Sequence, residues 1–254
     1  MLRRVLPSCD ARLERELRYW RESPDERPGA FTARLAVLKM NEATVFLEAV
    51  EAHTGLFENA ATILELGAGQ GWASCLVKSV FGGRVIASDV SPEAIASIGE
   101  WERIFGVEVD GALACPSFDL PLADESVDLA FTFQSAHHFG AHRRTLEECR
   151  RVLRRGGTLL YLHEPTSPRL WYGRAVARVN RKRTAYDHDV VEDVLVPSTL
   201  VELAASLGLR ARVRYTPTLA NRGPVEFLYY LALRAFKPAQ RWLPCTAEFV
   251  FEKV

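Results

Sequence analysis

The sequence has no excess of charge of either sign. It contains 32 lysines and arginines against 32 aspartates and glutamates, so the formal net charge of the 254 residues is zero. A protein that binds nucleic acid broadly needs a basic surface to attract the phosphate backbone. We therefore expect no nucleic-acid partner.

Cysteine is also scarce, and long hydrophobic runs are missing. The five cysteines are too scattered for a zinc-binding or redox pair, so the sequence predicts no metal site and reduced thiols in a cytoplasmic protein. The N-terminal stretch lacks the apolar core of a signal peptide. No apolar run reaches the roughly 20 residues that cross a bilayer, so we expect no membrane partner.

Short apolar segments alternate with helical segments through the middle of the chain. The predicted strands are TILEL, RVIAS, GALACP, VDLAFTF and TLLYLHE. This alternation predicts a doubly wound α/β fold with a mostly parallel sheet. The last segment, TAEFVFEKV, alternates apolar and polar residues and is expected to close the sheet as an antiparallel strand.

The helical segments define the expected domain organisation. Residues 1–60 are predicted to form a helical cap on a single domain of residues 61–254, in which 165–197 is a charge-rich insertion on the substrate side. SPEAIASIGEWERIF, AHRRTLEECRRVLRRGG and GPVEFLYYLALRAFKPAQRWLP are each expected to be helical, the first capped by Ser91 and the second stopped by its glycine pair. The apolar stripe of the third is expected to cover the sheet.

A glycine-rich turn, Gly67-Ala68-Gly69-Gln70-Gly71, follows the first predicted strand. Glycines there allow a ligand to approach the backbone closely, beyond the carboxyl end of the strand. A dinucleotide motif needs its third glycine where this chain has Trp72, and the negative charge of Glu65 is unfavourable beside pyrophosphate. The same charge favours an ammonium group, so we expect a zwitterionic amino-acid head at this turn.

Two aspartates extend this expected site. Asp89 ends the second strand, at about the spacing after the glycines at which an acidic residue binds ribose hydroxyls. Asp119 precedes the fourth strand and is placed to accept a hydrogen bond from an exocyclic amine of adenine. The expected ligand therefore combines an amino acid, a ribose and an adenine.

Four segments in order resemble the class I S-adenosylmethionine-dependent methyltransferases: ILELGAGQG, VIASDVSPEAI, FDLPLADESVDLAFTFQSAHHF and ECRRVLRRGGTLLYLHEP. The resemblance implies a Rossmann-like sheet of order 3-2-1-4-5-7-6 and S-adenosylmethionine as cofactor. The cofactor residues that it and the neighbouring positions suggest are Glu65, Gly67, Ala68, Gly69, Gly71, Asp89, Val90, Asp119, Leu120 and Gln134.

The acceptor side is less constrained by these motifs. His137 and His138 follow the fourth strand, and either is a candidate general base because imidazole titrates near neutral pH. The alternative is that both pack the strand end, since methyl transfer from a sulfonium needs little beyond alignment. Further substrate-side candidates are His163 and Glu164 at the end of the fifth strand, and Arg178 and Arg181 in the insertion.

The arginines of the insertion suit an anionic acceptor, but a solvated helix face paired with nearby acids explains them better. The expected function is methyl transfer to O, N or C of a small molecule such as a sugar or an anionic metabolite, by a monomer or homodimer. The alternatives are a non-catalytic cofactor-binding module and a methyltransferase acting on RNA or protein.

Overall fold

The structure, a computed structural model, describes residues 11–23, 32–181, 192–220 and 222–254. Seven strands form one sheet in the order β3-β2-β1-β4-β5-β7-β6. They are β1 (Thr62–Leu66), β2 (Arg84–Asp89), β3 (Gly111–Ala114), β4 (Val127–Phe133), β5 (Leu153–Thr166), β6 (Leu209–Tyr215) and β7 (Cys245–Lys253). Strands β1 to β5 are parallel, and β7 is antiparallel to both β5 and β6. This confirms the predicted strand order.

Helices cover both faces of the sheet. Those in the described residues are α1 (Ala11–Glu22), α2 (Ala33–Glu51), α3 (Thr54–Asn59), α4 (Trp72–Phe81), α5 (Pro92–Ala96), α6 (Ile98–Phe105), α7 (His142–Val152), α8 (Tyr172–Arg181), α9 (Pro197–Ser206) and α10 (Pro224–Ala235). None of them is long and apolar enough to cross a membrane.

The core consists of two apolar layers, one on each face of the sheet. On one face, Phe46 of α2 packs with its ring 5.8 Å from Phe131 of β4, so the helices that precede the sheet share its core. On the other face, Tyr161 of β5 packs edge-on to Phe251 of β7 at 5.1 Å. Because both layers are buried, the central strands are apolar on both faces, as expected for parallel strands.

Some predicted helix boundaries were correct, and others were wrong. Ser91 caps α5 by accepting from the N–H of Ala94 at 3.1 Å. The predicted helix that follows Ser91 is instead two helices, α5 and α6, which meet at Ser97. Helix α7 ends at Val152, before the glycine pair, because Leu153 already pairs with Val127 in the sheet. Sheet pairing overrides the helical pattern there.

The apolar stripe of α10 is also not the core element that was predicted. Only Tyr230 and Leu233 of this helix are buried, whereas Val225 and Leu228 are 82% and 65% exposed. The helix therefore lies at the surface, and the described residues leave most of its apolar stripe exposed.

Candidate active site

The glycine turn has a backbone that only glycine adopts readily. Gly67, Gly69 and Gly71 have φ of +63°, +55° and +81°. A Cβ added to Gly67 would lie 2.4 Å from Oγ of Ser135, and one added to Gly69 would lie 2.9 Å from the indole of Trp20. Both the conformation and the close neighbours therefore exclude other residues.

Glu65 lies at the carboxyl end of β1, buried beneath this turn. Its carboxylate accepts a hydrogen bond from Oγ of Ser74 on α4. Burial raises the pKa of Glu65 to about 8, although the Ser74 hydrogen bonds lower it. A buried carboxyl group without a cation gains a favourable partner when an ammonium binds beside it. This position fits the α-amino group of S-adenosylmethionine.

Asp89 ends β2 and is also buried. Its two oxygens accept backbone N–H groups at 2.8 Å each, Oδ2 from Gly69 and Oδ1 from Ser91. Burial raises the pKa of Asp89 to about 6 despite those two donors, which lower it. Each carboxylate oxygen has a second lone pair, so Asp89 can hold the glycine turn and still accept from two ribose hydroxyls.

The residues after β3 that line the cavity differ from the two that were predicted to lie beside the adenine. Cys115, Pro116, Ser117 and Phe118 line the cavity, whereas Asp119 is exposed and does not. Leu120 is buried, and its N–H donates to Oε1 of Glu148 at 2.8 Å. The stretch of residues 115–118 therefore lies closer to the cavity than the two residues that the sequence suggested.

One cavity of about 380 Å³ joins the glycine turn, the ends of β2 and β4, and helix α1. Eight of the residues expected from the sequence line it: Glu65, Gly67, Ala68, Gly69, Asp89, Val90, Gln134 and His138. Gly71 does not; it packs against Ile98 instead. The structure thus brings most of the predicted cofactor residues around a single space.

Helix α1, which belongs to the predicted N-terminal cap, forms a wall of this cavity. Leu13, Glu16, Tyr19 and Trp20 all line the cavity. The helix is attached at three points along its length by Arg12 to Asp193 at 3.1 Å, Glu16 to His138 at 3.1 Å and Arg21 to Glu93 at 3.4 Å. The amphipathic pattern of α1 was visible in the sequence, but its partners lie far away along the chain.

The two histidines occupy a short 3-10 turn, Ala136–His138, after β4. His137 is buried, with Nδ1 at 2.7 Å from Oε2 of Glu164 and Nε2 at 3.1 Å from Oε2 of Glu192. Burial alone would lower the pKa of His137, but these two carboxylates raise it to about 10. His138 instead lines the cavity, so the two neighbouring residues have different surroundings.

Glu164 holds this turn in place through hydrogen bonds to its backbone. It is fully buried and accepts the N–H groups of Ser135, Ala136 and His137 at 2.9 to 3.2 Å, in addition to the His137 ring. Burial opposes ionisation of Glu164, but the charge and hydrogen bonds of His137 lower its pKa. Glu164 therefore acts beneath the acceptor side as the group that positions His137.

His163 explains how Glu164 reaches this position. The register between β5 and β7 shifts between Tyr161 and Glu164, and His163 has φ of +55°. Such bulges reorient the side chains that follow them and occur often next to active sites. His163 itself does not line the cavity, and burial together with Arg222 lowers its pKa to about 4.

The arginines of the insertion that the structure describes do not line the cavity. Arg178 forms an ion pair with Glu226 of α10 at 2.7 Å, and Arg181 is exposed at the end of α8. Arg169 donates to Oγ1 of Thr199 at 3.2 Å. Lys182, Arg183 and the acidic residues Asp187 and Asp189 lie outside the described residues.

Comparison with known proteins agrees with this geometry. Residues 64–161 match the family described as "Methyltransferase domain". A probable S-adenosylmethionine-dependent methyltransferase of Mycobacterium tuberculosis is 32% identical over 149 residues, which cover 54% of this chain and 52% of that protein. The chain thus spans about half the length of this curated relative.

Solved structures show the same fold. A geranyl diphosphate C-methyltransferase from Streptomyces coelicolor, solved with Mg²⁺, geranyl diphosphate and S-adenosylhomocysteine, superposes with a TM-score of 0.68 at 15% identity, over 98% of this chain and 100% of the other. A putative sarcosine dimethylglycine methyltransferase from Galdieria sulphuraria gives 0.58 at 18% identity, over 96% and 98% of the two chains.

Residues 64–161, which include the glycine turn, are thus similar to a methyltransferase domain, and the sheet has the strand order expected of the class I fold. The matched relative is named as an S-adenosylmethionine-dependent methyltransferase, and the residues that line the cavity suit such a cofactor.

Proposed function

We propose that this chain transfers the methyl group of S-adenosylmethionine to an O, N or C atom of a small molecule. The observation that carries the proposal is the single cavity lined by Glu65, Asp89 and His138, because it joins the cofactor residues to the histidine turn. The bound cofactor supplies an electrophilic methyl group on a sulfonium whose leaving group is already good.

The residues of the chain bind the cofactor and align its methyl group with the acceptor. Glu65 binds the ammonium group and Asp89 the ribose, so the glycine turn and the end of β2 fix the direction of the methyl group. Alignment of two reactants in this way removes up to about 7–11 kcal/mol of a bimolecular barrier. Gln134 and His138 then border the space left for the acceptor.

Of the two candidate bases, His138 is the one that can take a proton from an acceptor hydroxyl. It lines the cavity, whereas His137 does not and lies 2.7 Å from Glu164 and 3.1 Å from Glu192. Because its pKa is raised to about 10, His137 stays protonated at neutral pH and is not a base there. We assign His137 a positioning role.

A small acceptor is favoured over a macromolecule by the wall that α1 adds to the cavity and by the balanced charge of the chain. A sugar or an anionic metabolite is a finer proposal; its anionic form gains no support from Arg178 or Arg181, which do not line the cavity. A cytoplasmic location is proposed from the four buried free thiols among the described residues. The oligomeric state, monomer or homodimer, is a question for sedimentation analysis.

Transfer of a radiolabelled methyl group from the cofactor tests the proposal. We expect label in a small-molecule fraction of a metabolite extract, and none in RNA or protein. Label confined to RNA or protein would support the macromolecular alternative. If the cofactor binds but no extract is labelled, the non-catalytic module becomes the better description.

A further inference from the structure

We propose that His137, His138 and Glu192 form a binding site for a divalent transition-metal ion on the acceptor side of the cavity. One ligand atom from each residue lies within 4.8 Å of the other two. Oxygens of Glu192 lie 3.1 Å from Nε2 of His137 and 3.9 Å from Nε2 of His138. Ligands at ~2.1 Å from a common ion are themselves ~3–4 Å apart, so small side-chain movements complete the site.

The surroundings of the two imidazoles give an independent argument. A histidine that binds metal through one nitrogen usually directs the other towards a carboxylate or carbonyl. Here Nδ1 of His137 is 2.7 Å from Glu164, and Nδ1 of His138 is 3.1 Å from Glu16. His137 thus has this arrangement, with a hydrogen bond between Nδ1 and Glu164 and with Nε2 towards Glu192, whereas Nδ1 of His138 lies near Glu16 without a hydrogen bond among the described residues. These two carboxylates come from β5 and α1, which are far apart in the sequence.

The charges around the cluster also suit a dication. Three carboxylates, those of Glu16, Glu164 and Glu192, face two imidazoles. With both rings neutral, the group carries a charge of about −3, which a divalent ion reduces to about −1. The ion takes the place of the proton on Nε2 of His137, so direct coordination replaces the ion pair with Glu192.

The donor set indicates which ions fit. Two imidazole nitrogens and one carboxylate oxygen suit Zn²⁺, Fe²⁺, Co²⁺ or Mn²⁺, whereas Ca²⁺ and Mg²⁺ prefer oxygen ligands. Three protein ligands leave coordination positions for another molecule. His138 and Glu192 both line the cavity, so the remaining positions face the space for the acceptor.

This placement makes the proposed function more specific, because a metal ion beside the acceptor space favours an acceptor with a hydroxyl group. The following step rests on that proposed function. A metal ion lowers the pKa of a bound hydroxyl, which releases its proton to solvent. The oxygen then forms a bond to the methyl carbon while the sulfur–carbon bond breaks, and its electron pair stays on sulfur. In this route the ion replaces His138 as the group that promotes deprotonation.

Cobalt binding tests the site without relying on activity. The protein is stripped with EDTA, saturated with S-adenosylhomocysteine and titrated with Co²⁺ while the visible ligand-field absorption is recorded. We expect one Co²⁺ per chain, displaced by Zn²⁺. Glu192→Gln and His138→Gln should each weaken Co²⁺ binding by at least about tenfold.

His53→Gln is the matched control, because His53 also pairs with a carboxylate, Glu248, at 2.8 Å but belongs to no group of three potential metal ligands among the described residues. It should bind Co²⁺ as the unaltered protein does. Binding of S-adenosylhomocysteine, measured separately by calorimetry, shows whether each variant is folded and whether the cofactor assignment itself holds. Co²⁺ binding that is absent, or equal in the unaltered protein and the Glu192→Gln variant, would overturn the proposal.

Discussion

At the cofactor end of the cavity, ionisation of Glu65 lowers the stability of the empty protein but favours the binding of a cationic ligand. Glu65 is ordinarily ionised above pH 4.5, but burial raises its pKa to about 8 in the folded protein. The folded chain therefore holds an extra proton between pH 4.5 and 8, and the contribution of Glu65 makes the empty protein less stable as pH rises through this window. A cationic ligand reverses this preference.

Glu65→Gln should consequently change stability and affinity in opposite directions. At pH 8 we expect the empty variant to melt higher than the unaltered protein, because no buried charge has to form. Its affinity for S-adenosylhomocysteine should fall roughly 10- to 100-fold, the loss of one charge-assisted hydrogen bond of about 1.5–3 kcal/mol. Calorimetry and thermal melting measure the two effects.

The pH dependence of binding provides the matching check. From pH 6 to 8 the affinity of the unaltered protein should rise by up to about tenfold per unit as Glu65 loses its proton. Glu65→Gln should flatten this rise, and the exposed Glu58→Gln should not. A slope that is the same in all three proteins would contradict the assignment of Glu65.

Asp89→Asn should separate the two roles of Asp89. The amide oxygen can accept only from the side that its NH₂ group does not occupy, so one of the N–H groups of Gly69 and Ser91 loses its acceptor. We expect a fall in S-adenosylhomocysteine affinity of at least about tenfold, with a modest fall in melting temperature. Asp110→Asn, at the exposed salt bridge with Lys78, serves as the control.

Among the elements, α1 has the largest influence on access to the cofactor. The indole of Trp20 packs on Gly69 and covers the turn that we propose binds the methionine part. Trp20→Ala should therefore speed both association and dissociation of S-adenosylhomocysteine, measured by stopped-flow fluorescence, with little change in melting temperature. Trp242→Ala, at a side chain 72% exposed, controls for loss of a tryptophan signal. Unchanged dissociation would mean that α1 does not restrict the cofactor.

The elements also show what the sequence could predict. The strands and the glycine turn were predictable, because apolar runs and glycines act within a few residues of the chain. The end of α7 was not, since the pairing of Leu153 with Val127 decides it. For the same reason the contacts of Trp20 with Gly69 and of Glu192 with His137 had no local signal: each joins residues that only the folded chain brings together.

For the molecule as a whole, the cofactor assignment predicts selective stabilisation. S-adenosylhomocysteine at about 100 times its dissociation constant should add about 2.7 kcal/mol to the free energy of unfolding. For a chain of this length that raises the melting temperature by roughly 5–10 °C. NADH should have no effect, because Trp72 occupies the position of the third dinucleotide glycine. Stabilisation by NADH alone would contradict the assignment.

The three attachments of α1 couple the binding of the cofactor to the binding of the acceptor. The same helix contacts the cofactor side through Trp20 and Arg21 and the acceptor side through Glu16. A ligand that strengthens one set of contacts stabilises the docked position of α1. The second ligand needs the same position, so it binds more tightly, and this coupling is reciprocal. The cofactor and the acceptor should therefore bind cooperatively, each raising the affinity of the protein for the other by the same factor.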